Sequence, residues 1–239
     1  MFQGYCDETF EFFMAIRFNN NPDFFHANHD WYRRSVRAPS LALAEALSAA
    51  VEQLDDTLER RPNRVVSRIN RDIRYSHDKS PYRDYLWLAF RPPDRENDLG
   101  LYFDLSASGG SYGMGLYRRN RPYMNGLRLR LAQSPEQFAS LLDSAAGEFT
   151  LHADLYRRMR VPDNIPEELR TLYLAKSFCF SKTLTDFSML KSPALADEII
   201  RGFRLLQPLY RVLADVKPLE DDPIPAPRPP QNHLRIDER

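Results

Sequence analysis

Apolar residues recur at helical spacing in some parts of the chain and alternate at period two in others, which predicts an α+β protein. Residues 7–18 turn Phe10, Phe13, Met14 and Ile16 toward a core. Asn21-Pro22-Asp23 reads as the start of a second helix, with Phe24, Ala27, Asn28, Trp31 and Tyr32 on one side of it. Pro39 opens a third helix striped by Leu41, Ala44, Leu47, Val51 and Leu54. Period two then takes over: Val65, Ser67, Ile69, Ile73 and Tyr75 share one face of an expected strand, Val66, Arg68, Asn70, Asp72 and Arg74 the other. Residues 76–82 read as a loop. Strands are expected over 85–90, 99–105 and 112–118, the last two joined by a turn at 108–111.

Beyond them, Arg118, Arg119, Arg121, Arg128 and Arg130, with Tyr117 and Tyr123 interleaved, read as a charged hairpin edge. Ser134-Pro135-Glu136-Gln137 predicts a capping box for a helix bearing Phe138, Leu141, Leu142 and Ala145 and ended by Gly147. A strand over 148–152, a helix over 167–173, a strand over 176–182 and a helix over 192–206 with an Asp197–Arg201 pair complete the pattern. The expected architecture is a single α+β domain over residues 1–217, an antiparallel or mixed sheet with helices packed mainly on one side. From Pro218 onward the chain holds six of its 18 prolines and an acidic Glu220-Asp221-Asp222, and residues 218–239 read as a flexible tail.

Charge changes this picture locally. The chain balances 33 basic against 33 acidic residues, which speaks against a general nucleic-acid or membrane-surface binder. Residues 61–130 nevertheless carry 14 Arg/Lys and 7 Asp/Glu, leaving the remainder with 19 and 26. Two cysteines, Cys6 and Cys179, form no disulfide framework or zinc pattern. No apolar run reaches the roughly 18–20 residues that span a bilayer, and the first residues lack signal-peptide order, so a reducing cytoplasm is the expected compartment. His26, His29 and Asp30 lack an evident third ligand, no metal site is assigned, and no motif names a cofactor. Five of the nine glycines lie between residues 100 and 115, and the Gly113/Gly115 face is bare enough for a ligand or another backbone to approach.

The densest chemistry lies between Arg64 and Arg83, where Arg64, Arg68, Arg71, Arg74, Lys79 and Arg83 stand against Asp72 and Asp78. On an extended chain, Asp72 can orient Arg68 or Arg74 and leave other guanidinium forks for a bidentate oxyanion. The same ladder also suits solvated ion pairs.

The run R-I-N-R-D-I-R-Y-S-H-D-K-S-P-Y-R resembles the signature R-I-x-R-D-x-R-F-S-x-D-K-S-P-Y-K of a bacterial family, domain of unknown function 2461, with Tyr75 and Arg83 at the two departures. Asn19-Asn20-Asn21 before Phe24-Phe25, Lys176-Ser177-Phe178 and the helix from Ser192 resemble its flanking parts, so the likeness covers about residues 7–214. The resemblance implies no particular reaction.

The expected ligand set is Arg68, Arg71, Asp72, Arg74, Asp78, Lys79, Tyr82 and Lys176 around an anionic small molecule, approached by the Gly113/Gly115 strand. Asp72, Asp78 and Lys79 are the candidates for any catalytic role, and whether the protein is an enzyme stays open. Nucleic acid bound through the basic middle third is the less favoured partner. A non-enzymatic interaction protein is the other alternative. No membrane is implied, and the sequence gives no oligomeric state.

Overall fold

The computed structural model describes residues 1–74, 77–93 and 99–220. Its N-terminal part is helical: α1 (Asp7–Phe18), α2 (Pro22–Ala27), α3 (His29–Tyr32), a π-helical turn over Arg33–Arg37, α4 (Ala38–Leu54) and α5 (Pro62–Val65). Strands β1 (Tyr85–Phe90), β2 (Leu99–Ser106) and β3 (Gly109–Leu116) follow, then α6 (Arg121–Gln133), α7 (Pro135–Ala146), β4 (Thr150–Leu155), α8 (Glu167–Leu174), β5 (Ala175–Leu184), α9 (Phe187–Leu190) and α10 (Ala194–Ala214). Pro39 offers no N–H to the carbonyl four residues back, and the buried Thr9 hydroxyl donates to that carbonyl, Ser35 O, at 2.6 Å.

The five strands form one antiparallel sheet in the order β1-β2-β3-β5-β4. Register divides its residues between two faces. Leu88, Phe103, Tyr112 and Lys182 lie in one cross-strand row, and Phe90, Leu101, Met114 and Phe180 in the next. α4 and α10 pack on this face and make it the core. α10 lies close to the sheet because Gly202 has no Cβ where the Tyr112 ring sits. The Tyr112 hydroxyl donates to Glu198 Oε1 at 2.9 Å. The result is an α+β domain, and no helix of the described residues is long and apolar enough to cross a membrane.

Several local expectations change. The β2–β3 turn is the two-residue link Ala107-Ser108, with Ser106 paired to Gly109, so β3 starts three residues early and Gly109 takes φ +127°. Residues 121–133 are helical rather than a hairpin edge: the Asn120 side chain accepts from Tyr123 N, and Tyr123, Met124, Leu127 and Leu131 form the buried stripe. Ser134 precedes α7 without a side-chain cap bond. Met14 faces outward at 43 % exposure, while Phe12 is buried in its stead. Arg201 pairs with Glu198 and Glu148 rather than Asp197. Leu219 is tied to α6, its N–H donating to Pro122 O at 2.9 Å. The remainder of the proline-rich segment, from residue 221, lies outside the described residues, as do Tyr75 and Ser76.

Candidate functional site

The 64–83 stretch does not form the regular strand that its alternation predicts. Val65 closes α5, and Arg37 Nη1 donates to the Val66 and Ser67 carbonyls at 3.3 and 3.2 Å, so a side chain occupies acceptors that a strand neighbour would use. What remains is piecewise pairing. Ser67 N donates to Trp87 O at 2.9 Å, Arg71 N to Pro81 O and Arg83 N to Ile69 O, both at 2.8 Å. The segment thus runs beside β1 and doubles back as a loop. Tyr82 anchors its base: the ring is buried and stacks on Phe25 at 4.3 Å, while the Asn20 side chain holds both the Tyr82 N–H and carbonyl at 2.9 Å.

Most of the loop's charges turn inward on one another. Arg71 pairs with Asp78, and Arg74 meets Asp72 through two bonds of 2.9 and 2.6 Å. Lys79 donates to Ile73 O at 3.0 Å, and Arg83 donates to the Arg68 and Asn70 carbonyls. The Arg74 guanidinium holds the Asp72 pKa down to about 2. Hydrogen bonds from Ser80, reinforced by Arg71, do the same for Asp78. Both are ionised, weak bases at neutral pH. Arg68 is exposed and makes no side-chain bond with a described residue. The structure therefore gathers Arg71, Asp72, Arg74, Asp78 and Lys79 in one loop with Tyr82 beneath. Lys176 is elsewhere, on β5, paired with Asp154 at 3.2 Å and lying 5.3 Å from the Tyr156 ring centroid. The Gly113/Gly115 strand does not face the loop, since β2 stands between β1 and β3.

A concavity lies beside the loop, on the sheet face opposite α4 and α10. Its volume is about 500 Å³. Tyr85, Trp87, Tyr102 and Tyr117 supply aromatic wall, Arg17 and Arg91 the cations, and Asp84 and Asp104 the carboxylates. Trp87 is directly opposite Asp104, which is opposite Ser111, so three strands present one row. The Ser111 hydroxyl donates to Asp104 Oδ2 at 2.7 Å. Burial pushes the Tyr102 hydroxyl pKa up to about 12. Burial also raises Asp104, with Ser111 opposing the shift, and raises Cys179, which faces the Asp104 charge. Arg17 is held by Asp84 at 2.6 Å, whereas the Arg91 guanidinium makes no hydrogen bond or ion pair with a described residue. The loop meets the concavity where the Arg83 guanidinium lies 4.7 Å from the Trp87 ring centroid. Among the described residues no three His, Cys, Asp or Glu side chains converge as metal ligands.

A family model described as conserved hypothetical protein, DUF2461, matches residues 8–211. The chain belongs to the DUF2461 family. No curated protein matches it. In this DUF2461 protein the motif-like loop and the concavity are neighbours, and only the loop is conspicuous in the sequence. The signals for the other half were Tyr85 and Trp87 alternating against Leu86 and Leu88, and one aspartate inside the apolar run Leu101-Tyr102-Phe103-Asp104-Leu105.

Asp104 gives this DUF2461 site a testable signature. A carboxyl whose folded pKa is raised binds protons more readily folded than unfolded, so its contribution to stability falls as pH rises through the window above 3.8. Asp104→Asn, which can still accept from Ser111, is expected to melt higher than the wild type at pH 7. Thermal melts should show that advantage fading below pH 3.8. An equal advantage at both pH values would assign it to packing instead.

Proposed function

We propose that this protein binds an anionic small molecule in the concavity on the open face of its sheet, with the Arg68–Tyr82 loop as its rim. The observation that carries the reading is the placement of the Arg91 guanidinium, unpaired among the described residues, beside four aromatic rings and the half-buried Asp104. Ligand sites are typically concavities of about 300–1,000 Å³, largely apolar, with a few convergent polar groups. Flat ligand surface packs on Trp87 and Tyr85, a carboxylate or phosphate takes the Arg91 fork, and Arg68 and Lys79, whose charges no loop carboxylate matches, add a positive field at the entrance. In a reaction at this site Asp104 is the better proton carrier, since its pKa is moved toward neutrality while those of Asp72 and Asp78 are moved away. Lys176 takes no part in this arrangement.

The test is a thermal-shift and calorimetric screen of phosphates, nucleotides, sugar phosphates and carboxylates in matched salt, on the wild type, Arg91→Met and Arg74→Ala. A ligand at about 100 times its Kd stabilises the wild type by roughly 2.7 kcal/mol. That gain is expected to vanish in Arg91→Met and to persist, weakened, in Arg74→Ala. The reverse pattern would move the site into the loop. Absence of any discriminating ligand would remove the reading.

A further inference from the structure

We propose that the end of the sheet where β3 and β4 finish and β5 begins is a binding surface for single-stranded nucleic acid. Antiparallel pairing of Leu116 with Phe178, and of Leu155 with Ala175, brings three chain segments to this end. Arg118, Arg119 and Arg121 follow β3, Arg157, Arg158 and Arg160 follow β4, and Lys176 is the second residue of β5. Residues 117–121, 154–160 and 175–176 therefore hold seven cations against one carboxylate, Asp154. Asp154 is already engaged by Arg119 at 2.7 Å and Lys176 at 3.2 Å. Arg121, Arg157, Arg158 and Arg160 are exposed, and their guanidiniums make no hydrogen bond or ion pair with a described residue.

Such a concentration on a chain of zero net charge is a local feature that the whole-chain balance conceals. Like charges at this density repel, and an external polyanion relieves that repulsion while releasing counterions. Guanidiniums suit phosphate oxygens by their fork geometry. Three adjacent strands span roughly 10 Å, so the patch is wide enough for several phosphates rather than one. The choice of nucleic acid over an acidic peptide rests on Tyr117. Its ring, 47 % exposed, precedes Arg118 in the chain and packs edge-on against Tyr102 at 5.4 Å. Guanidiniums for the backbone beside an exposed ring for a base is the combination that single strands use, and only an unpaired base can stack there.

Fluorescence anisotropy with labelled oligo-dT and oligo-rU of about 15 nucleotides tests this. With about four phosphates neutralised, affinity is expected to fall roughly 50-fold between 50 and 200 mM salt. At the lower salt, Arg157→Glu/Arg158→Glu and Arg121→Glu should each bind at least about tenfold more weakly. Arg121 is the first residue of α6, where an acidic side chain suits the helix dipole, so loss of binding by that variant is not a loss of fold. Tyr117→Leu should weaken binding without changing the salt slope. No binding at low salt overturns the proposal. So does equal affinity for a duplex of the same length, or displacement by polyglutamate together with an unaltered Tyr117→Leu.

Discussion

Replacing Arg128 with leucine is expected to destabilise the protein by about 3 kcal/mol or more, because it strips donors from buried carbonyls at a helix end. Arg128 is 1 % exposed. Its Nε donates to Tyr173 O at 2.9 Å, its Nη2 to Ala175 O at 2.8 Å and its Nη1 to Asn125 Oδ1 at 3.0 Å. The first two acceptors sit where α8 ends at Leu174 and β5 begins at Ala175, with no residue between. A helix end leaves carbonyls without intrahelical partners and carries partial negative charge. The usual remedy, a glycine in a left-handed turn, has no place in so abrupt a junction, and the guanidinium from α6 supplies the donors instead. Each acceptor left unpaired costs about 1–3 kcal/mol. For a chain of this size, 3 kcal/mol corresponds to a fall in Tm of roughly 6–12 °C. Arg128→Lys keeps the charge but not the fork, and should recover only part of the loss. Urea denaturation of both variants measures this. A leucine variant within about 1 kcal/mol of the wild type would mean that the two carbonyls find other donors.

Arg128 also shows why some of the fold was legible and some was not. The strands expected over 85–90, 99–105 and 176–182 were readable from Leu86, Leu88 and Phe90, from Leu99, Leu101, Phe103 and Leu105, and from Phe178 and Phe180, which alternate onto the core face. The helical spacing of Tyr123, Leu127 and Leu131 was equally present, but the arginines between them suggested an exposed edge. One of those arginines is on the buried face, which no periodicity argument expects of a charge. The central loop was conspicuous for its density of ionisable groups. Those groups brace the loop itself: Arg71 and Arg74 are taken by Asp78 and Asp72, Lys79 and Arg83 by backbone carbonyls. The concavity was hidden for a different reason. Trp87, Asp104 and Ser111 meet only through strand order and register, and neither is written in any one segment.

The bare face of Gly113 resolves the choice its sequence left open between an approaching ligand and an approaching backbone. The neighbour is backbone. A Cβ on Gly113 would fall well inside van der Waals contact of Phe180 O and 2.9 Å from the Phe180 carbonyl carbon. Gly113 pairs with Ser181 in the interior of the sheet, so neither strand can swing away as an edge strand would. Gly113→Ala must push β5 from β3 and weaken the ladder between them. Overpacking of this kind costs typically about 1–3 kcal/mol, and a backbone obstacle that cannot rotate aside places this substitution at or above the upper end. Gly147→Ala is the matched control: the position has φ −65° and nothing within 4 Å of an added Cβ. There the lost freedom of the unfolded chain should make alanine neutral or stabilising by about 0.4–1 kcal/mol. The two substitutions are thus expected to move Tm in opposite directions. Because Tyr102 forms part of the concavity, Gly113→Ala should also blunt any ligand-induced shift, while Gly147→Ala leaves it intact. If both variants melt alike, the close β3–β5 approach is not what excludes a side chain at Gly113.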